Sequence, residues 1–378
     1  MSGSGARDPA GFAVRVEETR GRRYPEWPHP YRNDYERDRD RIIHSRAFRR
    51  LEDKTQVFSR RYSDHFRTRL THTLEVAQIS RTVARVLRLN TDLTEALALA
   101  HDIGHPPFGH AGEATLDRLM RAFGDRFDHN LHALRIVETF EQKSPDFPGL
   151  NLTFEVREGI IKHSKDYSAE EFPELREYLL QRFPPLEGQL IDWADEIAYN
   201  CADLDDGYEA RLLTVNQMRR GVPFFDRCWR AAACDHRAAP EKLQFNATLR
   251  RLLDVLVTDL IHHTEARVRQ AGIRSVEGVR RARTRLASLS GRMGRENQRL
   301  KRFLHRNLYS HAALRADRET FTLAVEELFG FFLEHPRSLP KFYFEQTRRE
   351  PVHRVVCDYI AGMTDHFLLD QHRRHLRP

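Results

Sequence analysis

An apolar run that ends in the adjacent pair His101-Asp102 and then meets Gly104-His105-Pro106-Pro107 constrains this chain more than any other stretch. Thr91 to Ala100 is rich in Leu and Ala, with Thr91 as a candidate cap, and reads as a buried helix. Proline clashes with the preceding turn of a helix, so the loop must stop it. That loop then presents two more histidines, His105 and His110. The imidazole and carboxylate of His101 and Asp102 suit a borderline-hard cation. The pair fits equally well a helix end that carries His near its C-terminal dipole, with Asp as a local cap.

The remainder of the chain also reads as helical, without sustained strand alternation, internal repeats or a phosphate-cradling glycine loop. Its 378 residues suffice for one large domain or two. No apolar run approaches the roughly 20 residues that span a bilayer, and the first residues lack the pattern of a signal peptide. Four scattered cysteines without a CxxC pair fit a reducing, cytoplasmic setting and argue against a disulfide scaffold or a thiolate zinc site. The formal charge of +7 fits a polyphosphate substrate, a nucleic acid, or simply a solvated Arg/Glu surface.

In chain order, residues 1–24 read as a mobile tail, 25–220 as a catalytic core and 221–378 as a C-terminal helical region packed on it. Residues 42–51 carry apolar positions at helical spacing, and 54–58 read as extended. A helix over 67–87 buries Leu70, Leu74, Ala77, Val83 and Val86, with Arg69 and His72 on one face and Glu75 placed to orient His72. By itself His72 reads as a satisfied, partly buried histidine. Residues 111–123 read as a helix with Glu113 one turn beyond His110. The next helix has Asp128 as cap and His129 in its first turn. Lys162, at the end of a helix over 154–163, is either a phosphate contact or a cation at a helix C-terminus. In the helix over 187–208, Asp195, Tyr199 and Asp203 recur every four residues and share a face beside an apolar stripe, where carboxylates are costly unless paired or metal-bound. The basic stretch 280–302, broken by Ser and Gly, reads as a linker or loop.

Taken together, His72, His101, Asp102 and Asp195 supply two imidazoles and two carboxylates from three helices. Such a set leaves positions open on Mn, Mg, Fe or Zn. A cation held this way acts as a Lewis acid towards a phosphoryl oxygen and activates water. His105, His110 and His129 are placed to neutralise phosphate charge or move protons. The chemistry points to metal-assisted hydrolysis of a phosphate ester.

His72…His101-Asp102…Asp195 resembles the H…HD…D signature of the HD superfamily of metal-dependent phosphohydrolases. The segments 46–51, 54–57, 69–76, 101–110, 195–199 and 358–365 are similar to the deoxyguanosine triphosphate triphosphohydrolase family, over about residues 30 to 370. The resemblance implies an all-α fold, an HD-domain helical core with additional C-terminal helices. It implies hydrolysis of a deoxynucleoside triphosphate at the α-phosphorus, giving deoxynucleoside and inorganic triphosphate. By the family pattern His72, His101, Asp102 and Asp195 ligate the metal, Mn or Mg for activity. His110 and Glu113 donate the proton to the departing 5′ oxygen. His129, another catalytic histidine, and His105 contact phosphates near the metal, Arg69 holds phosphate, and Lys162 is a further candidate contact. Gln56, Tyr199 and Asp203 surround the deoxyribose. The family further implies a homo-oligomer, often a hexamer, with a second dNTP as activator or single-stranded nucleic acid as accessory partners. The metal set alone leaves two rivals open: another HD enzyme, such as a 5′-nucleotidase or guanosine tetraphosphate hydrolase, and a nucleic-acid-binding protein with a vestigial HD site.

Overall fold

A computed structural model describes residues 8–58 and 66–376. Among them the regular structure is helical, and the only extended pairings are the isolated bridges Arg22–Thr153, Thr55–Thr68 and Gln142–Gly149. The fold is all-α, as the sequence implies. No described helix is long and apolar enough to cross a membrane.

The chain forms two compact units, each assembled from three separate segments: 1–40, 74–99 and 153–311 in the first, and 41–73, 100–152 and 312–378 in the second. This interleaving cuts across the expected sequence-ordered division into 25–220 and 221–378, because contacts between distant helices rather than chain order build each unit.

In the first unit the helix Leu186–Glu209 packs against Glu241–Gln270 and Gly291–Leu304. Glu241–Gln270 holds its place through Phe245, Thr248, Leu252, Leu256, Leu260, Thr264 and Val268, buried at three- to four-residue spacing. Each fully buried apolar side chain of this kind contributes about 1.5–3 kcal/mol. Gly291–Leu304 takes the place of much of the expected basic linker. Ser290 caps it by accepting from Met293 N, and Met293, Leu300, Phe303 and Leu304 are buried beneath its charged face. The amino-terminal residues 8–24 are also not a free tail. Ala10, Ala13 and Val14 are buried. Val14 N donates to Glu187 at 2.9 Å, Thr19 Oγ1 and Arg20 N donate to Glu155, and Arg22 pairs with buried Asp38.

In the second unit Ala312–Glu334 packs against Gly109–Arg121, Val352–Ala361 and Asp365–Leu376. Phe108, Leu116, Met120, Phe127, Phe329 and Ile360 belong to its apolar core.

The helix Arg69–Leu87 corrects one detail of the sequence reading. Leu74 and Val86 are more than half exposed, whereas Val76, Ile79, Val83 and Ala84 are buried. The buried stripe is displaced around the helix relative to the expected one. Glycine 104 sits where a Cβ would lie 2.0 Å from His129 O and 2.5 Å from Ala133 N. Only glycine lets the histidine loop approach the helix His129–Arg135 this closely.

Candidate metal and phosphate site

The second unit gathers the histidine signature. His72 comes from the first turns of Arg69–Leu87, while His101 and Asp102 follow the last turn of Thr91–Ala100. One ligand atom from each lies within 4.8 Å of the others, and all three side chains are buried. Two nitrogens and a carboxylate converging at that distance fit a divalent cation with positions left for oxygen donors.

Arg69 lies alongside: its Nη1 donates to Asp102 Oδ2 at 2.7 Å. His105 Nδ1 is 3.0 Å from the other carboxylate oxygen. Burial opposes ionisation of Asp102, but Arg69, His105 and His101 outweigh it and hold the carboxyl well below its usual range. Burial, together with the charge of Arg69, drives His105 well below the ordinary imidazole range and keeps it neutral.

A second histidine group adjoins in the same unit. The rings of His105 and His129 stack with centroids 3.9 Å apart. Glu113 sits between His129 and His110, with Oε1 2.8 Å from His129 Nδ1 and Oε2 3.6 Å from His110 Nδ1. Burial alone would raise the Glu113 carboxyl, yet the contacts from His110 and His129 keep it ionised far below its normal value. Asp128 caps the His129–Arg135 helix by accepting from Asn130 N and Leu131 N, as its sequence position suggests. The His110 side chain is 86% exposed, so it is available to an incoming ligand. Gln56 Oε1 is buried and accepts no hydrogen bond among the described residues, which leaves an acceptor for a ligand hydroxyl.

Backbone geometry sets the aim of these histidines. Phe108 has φ +61° and ψ +22°, and Gly109 follows at φ +57°, immediately before His110. A non-glycine residue in the left-handed region stores about 1–3 kcal/mol and persists only where its surroundings enforce it. Behind the loop, His132 Nδ1 lies 2.9 Å from Gly104 O and donates to it. Burial lowers His132 to about 3. In the unfolded chain it titrates near 6.5, so below that pH the unfolded state takes up a proton that the folded state refuses. Stability is therefore full above pH 6.5 and falls towards pH 3. Between pH 6.5 and 4.5 this one group should remove roughly 2–3 kcal/mol. Urea unfolding at the two pH values measures it. His132→Asn, which keeps a donor but cannot be protonated, should show a smaller loss by about that amount.

The first unit carries the acidic face of Leu186–Glu209. Asp195 Oδ2 lies 3.8 Å from His163 Nε2, and Asp192 Oδ1 is 2.8 Å from His163 Nδ1. Arg285 donates to Asp192 at 2.7 Å. Burial, and the charges of Glu196, Asp195 and Asp203, push the Tyr199 hydroxyl upward and keep it protonated. Asp203 is buried and accepts a hydrogen bond from the Tyr309 hydroxyl.

Lys162 is a correction to the list of phosphate contacts. It is buried, and its ammonium donates to Glu158 at 2.8 Å and to the carbonyls of Leu179 and Arg182. Three protons are thus satisfied internally. Glu158 is held in turn by Arg280 at 2.7 Å, which gives part of the basic 280–302 stretch a structural task. Tyr309 and His163 escaped the sequence reading. His163 directly follows Lys162 at a helix end and was visible by position, whereas Tyr309 carries no local signal because its partner is 106 residues away.

The HD domain model matches residues 69–200 and the phosphohydrolase-associated domain model matches residues 287–374. With the helical fold and the His/Asp cluster, they define a phosphohydrolase of the HD class. Similar full-length relatives are the deoxyguanosinetriphosphate triphosphohydrolase-like proteins of Geobacter sulfurreducens, Ralstonia nicotianae and Thiobacillus denitrificans. They are 46%, 46% and 44% identical over 98%, 97% and 97% of this chain and 96%, 94% and 96% of their own lengths. The chain belongs to the deoxyguanosinetriphosphate triphosphohydrolase-like family.

Proposed function

We propose that this phosphohydrolase cleaves deoxynucleoside triphosphates, dGTP or a broader set, to deoxynucleoside and inorganic triphosphate. The observation that carries the reading is the pair of adjoining groups in one unit: a cation-binding trio, His72, His101 and Asp102, and a histidine–carboxylate group, His105, Glu113, His129 and His110. The family pattern adds Asp195 as the fourth ligand. A bound divalent cation, Mn or Mg in this proposal, supplies Lewis acidity at the α-phosphate.

The protein's own groups do the rest. Arg69, fixed by Asp102, offers its remaining N–H groups to phosphate oxygens. Neutral His105 and its stacked neighbour His129 donate hydrogen bonds to charge that develops on the phosphoryl oxygens. His110, steadied by ionised Glu113, gives its proton to the departing 5′ oxygen. The P–O5′ bond breaks as a water oxygen bonds to the α-phosphorus, so the triphosphate leaves intact. Gln56 Oε1, Tyr199 and Asp203 are proposed to read the deoxyribose. An Asp203 already bonded to Tyr309 favours a crowded sugar edge that rejects a 2′-hydroxyl.

The test is incubation of the purified protein with each dNTP and NTP plus Mn²⁺, with products resolved by ion exchange. Deoxynucleoside plus triphosphate is expected. Monophosphate with pyrophosphate, or orthophosphate alone, would move the protein to another HD activity.

A second dNTP as activator is part of the same proposal. Supporting it is a cavity of about 610 Å³ in the first unit lined by Arg220, Arg299, Arg302, Arg306 and Phe303. Neither Arg302 nor Arg306 has a carboxylate partner among the described residues, so the cavity suits a polyphosphate. The double variant R302E/R306E should lose stimulation by a mixed dNTP pool, seen as a rise of about 10-fold or more in the activator concentration needed for half-maximal stimulation. Its rate without activator should stay that of the wild type.

A further inference from the structure

The structure leaves one question about His110: what keeps two successive left-handed residues, Phe108 and Gly109, in place immediately before it. Two groups from the far end of the chain hold that point. Asp365, the first residue of the helix Asp365–Leu376, accepts a hydrogen bond from Phe108 N at 2.9 Å through Oδ1. Through Oδ2 it accepts another from Thr55 N, also at 2.9 Å. Phe321, in the helix Ala312–Glu334, stacks on the Phe108 ring with centroids 4.0 Å apart and planes 4° from parallel. Lys54 reinforces the arrangement by donating to the carbonyls of His105 and Ala361.

We propose that Asp365 and Phe321 are positioning residues for His110. They hold Phe108 in its left-handed conformation and so aim the proton donor at the leaving oxygen. The same Asp365 carboxylate fixes Thr55, and with it the neighbouring Gln56, to the loop that carries His110. One carboxylate thereby sets the spacing between sugar recognition and proton delivery. Neither residue touches the substrate. Without the hydrogen bond and the stacked ring, Phe108 relaxes towards an ordinary backbone conformation, and the start of Gly109–Arg121 turns with it. The inference rests on the proposed role of His110 as proton donor.

Asp365→Asn tests it, since a carboxamide oxygen can serve only one of the two N–H groups. Phe321→Leu is the milder second variant, which keeps an apolar core but removes the stacked ring. Amide hydrogen exchange needs no activity. Exchange across residues 104–110 should accelerate in both variants while the rest of the protein stays protected. Unchanged exchange there overturns the proposal.

Turnover supplies the second readout. The probes are the best deoxynucleoside triphosphate and its analogue with sulfur at the bridging 5′ position, whose thiolate leaves without needing a proton. On the oxygen substrate kcat should fall about 10–100-fold with KM nearly unchanged, as for a displaced catalytic group. On the sulfur analogue the fall should be under about threefold, because proton donation no longer limits the step. Equal losses on both substrates, or weakened Mn²⁺ binding by calorimetry, would mean a general structural role and overturn the proposal. His110→Ala run in parallel separates the two readings. If it shows no preference for the sulfur analogue, the role of His110 fails, whatever Asp365→Asn does.

Discussion

Asp102→Asn is expected to abolish divalent-cation binding and nucleotide hydrolysis together. Asp102 contributes the one carboxylate of the trio it forms with His72 and His101, and its two oxygens also meet Arg69 and His105. Asparagine has nearly the same shape, so packing is retained, but the negative charge that balances a cation and Arg69 is gone. Loss of a group that merely supports a metal ligand costs 10–100-fold in affinity, so loss of a ligand carboxylate should exceed about 100-fold. Calorimetric titration with Mn²⁺ and a triphosphate-release assay should both read near zero. A variant that keeps full turnover would remove the metal from the proposed reaction.

His110→Ala should behave in the opposite way, leaving Mn²⁺ affinity intact while lowering kcat by about 10²–10⁴-fold, the usual worth of a general acid. The side chain is 86% exposed, so its removal should leave stability within about 0.5 kcal/mol of the wild type. A loss of rate then reports chemistry and not unfolding. Full activity in His110→Ala would assign the proton to another group, with His129, bonded to the same carboxylate, the next to substitute.

These two substitutions fall on residues that the sequence singled out, and it is clear why they were legible. The helix Thr91–Ala100 is announced by dense Leu and Ala and stopped by the Gly-Pro-Pro loop, so its end delivers His101 and Asp102 to a predictable place. The Asp128 cap and the four-residue repeat of Asp195, Tyr199 and Asp203 are likewise local patterns. What stayed hidden is nonlocal. The exposure of Leu74 and Val86 depends on which neighbours cover the helix, and a run with several apolar residues allows more than one phase. The helix Gly291–Leu304 was masked by its arginines, although its buried Met293, Leu300 and Phe303 follow helical spacing. Lys162 left its two readings open because, although Glu158 is one turn away in the same helix, the two carbonyls that complete its hydrogen bonds lie in a separate loop. Asp365 and Phe108 are 257 positions apart, and nothing in either segment reports the other.

The amino-terminal strap has a practical consequence for anyone who trims or tags this protein. To the eye, residues 8–24 are dispensable. Yet Val14, Thr19, Arg20 and Arg22 supply donors to Glu187, Glu155 and Asp38, three carboxylates seated on three different helices. Deleting the strap removes these donors while the acids remain inside the protein: Asp38 keeps only Thr153 and Glu187 keeps Asn90. Asp38 loses the cation that balances its charge, and breaking a buried ion pair in this way costs several kcal/mol. A chain begun at residue 25 would thus lose far more than its length suggests. A fusion partner is better joined at the other terminus or ahead of Asp8.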